Sequence, residues 1–103
     1  MRDSGRDAMA IADGRTREDL DSDRQLVLAL SHAVQIIGEA ANQISDTTRD
    51  ATPNVPWIRI INMRHRLVHD YYRINLDVLW QTVQVEIPDL IARIEPLLPA
   101  EAD

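Results

Sequence analysis

The run Arg64-His65-Arg66-Leu67-Val68-His69-Asp70-Tyr71 gathers a permanent cation, two imidazoles and a phenol within about two helical turns. Arginine grips phosphate with a planar, two-pronged fork, and histidine is the side chain that trades protons near neutral pH. Together they suffice to cut a phosphodiester without a metal. In RNA the 2′-hydroxyl attacks the adjacent phosphate once a base takes its proton and the charge of the transition state is neutralised. His69 is the natural proton carrier, and Arg64 would hold a phosphate oxygen. The chain has three histidines, so a two-histidine scheme within one subunit would recruit His65 as an auxiliary group. A dimer would instead supply two copies of His69 across a shared cleft.

These residues must be held by helices. Phenylalanine is absent, glycine occurs three times, helix-favouring residues abound, and no stretch alternates with period two between hairpin turns. A short, weakly amphipathic first helix is expected from Ser4 to about Asp13, with Gly14 as its stop. A charged connector, Arg15 to Ser22, leads to Asp21 or Ser22 as the cap of a long helix reaching about Ser45. Leu26, Leu30, Ala33, Ile37, Ala40, Ala41 and Ile44 form its buried stripe, and Gly38 within it suggests close approach of another helix. After the polar segment Ser45–Thr52 and the rigid Pro53-Asn54-Val55-Pro56, Pro56 suits the first turn of a third helix. That helix carries Trp57, Ile60, Ile61, Arg64, Leu67, Val68 and Tyr71 along one arc. Asn75 can cap a fourth helix, which Pro88 should kink or divide near Glu86. The expected fold is all-α, an up-and-down helical bundle with a short first helix, in a single domain over residues 1–103.

On one regular helix Arg64 and His69 are five residues apart and rotated by about 140°, so they do not share a face. They converge only if the helix loosens near Val68 or if the cleft lies between two subunits.

Composition narrows the chemistry. With no cysteine, disulfides, thiolate metal sites and cysteine nucleophiles are excluded. No apolar run is long enough to span a bilayer, and the first residues lack the apolar core of a signal peptide, so a cytoplasmic protein without a membrane partner is expected. The net charge of −6 argues against nonspecific coating of nucleic acid. Between Arg59 and Arg73, however, four arginines (Arg59, Arg64, Arg66, Arg73) face one acid, Asp70, for a local formal charge of +3. A positive segment in an acidic chain suits a local phosphate site, although a solvated helix face would carry the same charges.

Other readings compete at the same residues. His65 and His69 stand at i and i+4, a spacing that clamps zinc on a helix face, but no third ligand or zincin glutamate is evident, and no metal or other cofactor is expected. Glu39 reads as a salt-bridging residue. Tyr71 alone reads as a core aromatic with its hydroxyl at the rim. A noncatalytic helical dimer that binds a nucleotide or protein through the same basic cleft is the alternative to an enzyme.

The surrounding sequence adds a resemblance. Arg-x4-His-x-Tyr (Arg64, His69, Tyr71) resembles the signature of HEPN ribonucleases, and within them the HepT-type toxins that pair with a minimal nucleotidyltransferase antitoxin. Ile36-Ile37-Gly38-Glu39-Ala40-Ala41, Pro53 through Trp57, Leu79-Trp80-Gln81-Thr82-Val83 and Ile87-Pro88-Asp89-Leu90 are similar to other segments of that family, in the same order. His65 departs from the polar residue common after the motif arginine, and the first helix is shorter than usual for the family. The resemblance implies a HEPN-like four-helix bundle acting as a homodimer, and a metal-independent endoribonuclease. It implies Arg64 and His69 as catalytic residues and Tyr71 as the acceptor of AMP from the antitoxin, a modification that would set bulk and negative charge where substrate phosphate binds.

Overall fold

The structure, a computed structural model, describes residues 2–70 and 73–97, and at Arg64, His65, Val68, His69, Asp70 and Arg73 the backbone alone. Four helical layers follow one another around a ring. Helix α1 (Arg2–Ala12) packs along α3 (Arg24–Asn42), α3 along α5 (Trp57–Leu67), and α5 against α6 (Leu76–Gln81). A π-helical segment (Thr82–Glu86) and α7 (Ile87–Ile94) continue α6, and α7 closes the ring on α1. Short helices α2 (Asp19–Ser22) and α4 (Asp46–Ala51) lie in the connections, and a 3-10 turn (Glu95–Leu97) ends the described chain. The all-α bundle expected from the sequence is the fold found. Among the described residues no helix is long and apolar enough to cross a membrane.

Helix α3 is the spine. Leu30, Val34, Ile37 and Ala41 are fully buried and recur at steps of three and four, so one stripe faces the core along the helix. Gly38 is buried on the same side. The start of α3 falls one or two residues later than expected, because Asp23 rather than Asp21 or Ser22 is its cap: the Asp23 carboxylate accepts from the Leu26 N–H at 3.1 Å. At the other end Arg49, from α4, donates to the Ala41 and Asn42 carbonyls at 3.2 and 3.4 Å. It satisfies acceptors that a helix end leaves open, and α3 stops at Asn42 instead of reaching Ser45.

The first helix is better anchored than its sequence suggests. Ala8 is fully buried, and Gly5 faces Ile91 so closely that a Cβ there would lie 2.9 Å from the Ile91 Cδ1 atom. A weak stripe suffices when small residues let two helices approach. Gly14, at φ +75°, takes the left-handed conformation that ends this turn and that only glycine adopts without strain.

Pro88 divides the last helix, as its chemistry demands. Proline has no N–H and its ring clashes with the carbonyl four residues back. The chain answers with a π-helical segment: the Ile87 N–H reaches the Thr82 carbonyl, five residues earlier. Regular α-helix resumes with Pro88 in its first turn.

The Asp23 cap carries a pH signature. The Leu26 N–H first, and then the Arg15 guanidinium, hold its carboxyl below the usual carboxylate value. A depressed folded-state pKa contributes stability above the unfolded value and loses it as pH falls through the folded value. Asp23→Asn keeps a capping oxygen but does not titrate. Denaturant midpoints from pH 5 to pH 2 should therefore show the wild-type advantage over Asp23→Asn shrinking below about pH 4. A constant difference across that range would mean that the charge of Asp23 does not support the cap.

Candidate active site

The third helix does not run through the motif. Helix α5 ends at Leu67, and Val68 opens a short strand, β1 (Val68–Asp70), paired antiparallel with β2 (Arg73–Ile74). The expectation of a single helical arc from Trp57 to Tyr71, with no strand anywhere, is corrected here. The change is small in residues and large in consequence, because a wheel at 100° per residue no longer relates His69 to Arg64.

Several local causes end α5 there. The Leu67 carbonyl accepts from the Asn75 N–H at 2.7 Å, which diverts an acceptor at the end of the helix. Asn75 is fixed in turn as the cap of α6, as its sequence position suggested: its side chain accepts from the Val78 N–H at 3.1 Å, and its carbonyl from the Leu79 N–H at 2.9 Å. Asn75 thus fastens the end of α5 to the start of α6, with the strand pair closed between them. β-branched Val68 and Ile74 are Cα partners across the ladder, a pairing that suits strands.

The ladder is irregular at the candidate histidine. Val68 pairs with Ile74 and Asp70 with Arg73, so two steps on β1 answer one step on β2. His69 is the extra residue, the seat of a β-bulge. Bulges bend a strand and re-aim a side chain, and they are frequent beside active sites. Arg64 occupies the last turn of α5, His65 follows it on the same helix, and His69 lies two residues beyond the helix end. Tyr71, the predicted acceptor of AMP, falls outside the described residues. A zinc clamp by His65 and His69 would need both on one helix, and α5 ends between them. Among the described residues no cluster of histidine and carboxylate side chains could hold a metal.

The electrostatics near the motif differ from a count of arginines. Arg59 is committed to Glu86 at 2.6 Å, and that partnership raises its pKa further. Among the described residues Arg66 is exposed and forms no ion pair. Arg6 pairs with Glu95, Arg15 with Asp23, Arg17 with Asp21 and Asp77, and Arg93 with Asp89. Apart from Arg66, the described arginine left without a partner is Arg24, at the start of α3. The sequence gave no signal for Arg24, since its lack of a partner arises only when the chain folds.

The chain is similar to proteins already described. A sequence model of the family described as "Ribonuclease HepT-like" matches residues 1–97. A protein of Caldanaerobacter subterraneus subsp. tengcongensis whose name proposes an RNase is 34% identical over 88 residues, covering 85% of this chain and 79% of that protein. A Thermococcus cleftensis protein named "Probable ribonuclease HepT" is 36% identical over 80 residues, covering 78% of this chain and 73% of its own length. A Methanocaldococcus jannaschii protein, also named with an RNase activity proposed, is 32% identical over 74 residues, covering 72% and 68%. No solved structure matches the chain significantly.

Proposed function

Because the chain belongs to the HepT-like ribonuclease family, we propose that it cleaves RNA endonucleolytically without a metal, using Arg64 and His69. His69 takes the proton of a 2′-hydroxyl, whose oxygen attacks the adjacent phosphorus. The bond to the 5′-oxygen breaks, leaving a 2′,3′-cyclic phosphate and a 5′-hydroxyl once that oxygen receives a proton. Arg64 binds the nonbridging oxygens and offsets charge that is greatest in the transition state. The second proton comes from another histidine, either His65 or a second copy of His69 across a homodimer cleft.

The observation that carries this reading is the bulge. A histidine that moves protons must be aimed independently of the helix that carries the phosphate grip, and the β1 irregularity falls at His69. The homodimer is supported by Ile36 and Ile58, which are exposed on the adjacent helices α3 and α5, the latter at 71%. Large exposed apolar side chains on neighbouring helices suit a partner surface.

In this reading the protein is the cytoplasmic toxin of a toxin–antitoxin pair, and its partner is a minimal nucleotidyltransferase that transfers AMP to Tyr71. AMP two residues from His69 would add a phosphodiester charge and an adenosine to the substrate path.

The test is incubation of purified protein with total RNA in excess chelator. Cleavage should persist, leave 5′-hydroxyl ends, and stop after the protein is treated with the antitoxin and ATP. A strict requirement for added divalent metal would overturn the mechanism. An intact Tyr71 in an antitoxin-inactivated sample, read by mass spectrometry, would remove the proposed switch.

A further inference from the structure

A groove of about 420 Å³ lies beside the strand pair, lined among others by Arg24, Val27, Leu28, Ile74 and Leu76. Its volume is within the range of small-molecule sites. Its position is the notable property. Ile74 is the Cα partner of Val68, so the groove begins about 5 Å across the ladder from the residue that precedes His69.

The lining is divided by character. Val27, Leu28, Ile74 and Leu76 form an apolar wall, and Leu28 is 49% exposed. Arg24 stands at the start of α3 as a cation with no partner among the described residues. The carboxylate on the same rim, Asp21, is already taken by Arg17 at 3.1 Å. The free charge at this groove is therefore Arg24. An apolar wall with one free guanidinium matches a single-stranded nucleotide: the base packs on the wall or stacks on the guanidinium plane, and the phosphate meets the fork.

Resting on the ribonuclease reading, we propose that this groove is a subsite for an RNA nucleotide next to the scissile phosphate, with Arg24 as its phosphate contact and Leu28 as part of its base platform. Arg66 on α5 and Arg24 on α3 then supply free cations on the two elements flanking the strand pair, and the RNA passes over the His69 bulge between them. The subsite accounts for how an acidic chain holds a polyanion: nearly every other described arginine is neutralised by its own acids, so attraction is confined to this path.

The experiment uses an RNA oligomer that the wild-type protein cuts and the dinucleotide spanning that cut. Arg24→Ala should raise KM for the oligomer about tenfold with kcat unchanged and lower the salt slope of binding by about 0.7, while leaving dinucleotide cleavage as in wild type. Leu28→Ser should raise the oligomer KM by about fivefold or more, the scale of one stacked base. Both residues are exposed, and thermal melts verify that the variants fold. Equal KM values for wild type and Arg24→Ala on the oligomer would overturn the proposal, as would an equal loss on the dinucleotide. Fluorescence anisotropy with an oligomer carrying a 2′-O-methyl group at the cut reads binding alone. If the wild-type protein cuts nothing, the catalytic reading fails, and the Arg24→Ala anisotropy shift still decides whether the subsite exists.

Discussion

Alanine at His69 should lower the rate of RNA cleavage by about 10²- to 10⁴-fold, the range lost when a positioned proton carrier is removed. His69 sits on a three-residue strand, as the bulge residue that the ladder leaves unpaired. The bundle core is built by other residues, with Leu30, Ile37, Leu67, Leu79 and Ile87 fully buried on the helices. His69→Ala should therefore melt within a few degrees of wild type while cleaving poorly. His69→Gln, which keeps a polar side chain but no titrating group, should be as inactive. Parallel measurement of His65→Ala separates the two proton schemes: a loss of similar size means one subunit uses both histidines, and a loss below about tenfold favours two copies of His69. Single-turnover cleavage of a labelled oligomer is the readout. A His69→Ala protein that cuts within fivefold of wild type would remove His69 from the mechanism, and a large fall in melting temperature would return it to a structural role.

The helices were legible because they are written in short-range chemistry. The three- and four-residue recurrence of Leu30, Ala33, Ile37 and Ala41 locates α3 and its inner face, Asn75 starts α6, and Pro88 interrupts the last helix. What escaped was chemistry that depends on distant partners. The end of α5 cannot be read from Leu67-Val68-His69, which continues a plausible helical arc. It is determined by the Asn75 N–H that takes the Leu67 carbonyl, eight residues away in sequence. The packing of α1 likewise rests on Ile91, far along the chain, so Gly5 looked only like a weak point in a weak helix. At the candidate site the residue types were visible in the sequence and their relation was not. Arg64 and His69 had to meet off a regular helix face, and the fold resolves the conflict by ending the helix between them.

Substitution of Arg64 should be nearly as costly as loss of His69, and the choice of substitute tests the reason. Arg64 lies in the last turn of α5, where a cation interacts favourably with the helix dipole for about 0.3–1 kcal/mol. If that were its whole role, Arg64→Ala would lower stability slightly and leave cleavage intact, and Arg64→Lys would restore both. Stabilising a phosphorane-like transition state asks for more. Loss of one donor at such a position costs about 10²- to 10³-fold in kcat, or roughly 3–4 kcal/mol, several times the helix-end effect. Lysine keeps the charge but not the paired N–H groups that meet two phosphate oxygens at once. Arg64→Ala should therefore lose about 10²- to 10³-fold in kcat. Arg64→Lys should recover the melting temperature while recovering little of the rate. Full rescue of cleavage by lysine would show that charge alone is needed and that a bidentate grip is not part of the reaction.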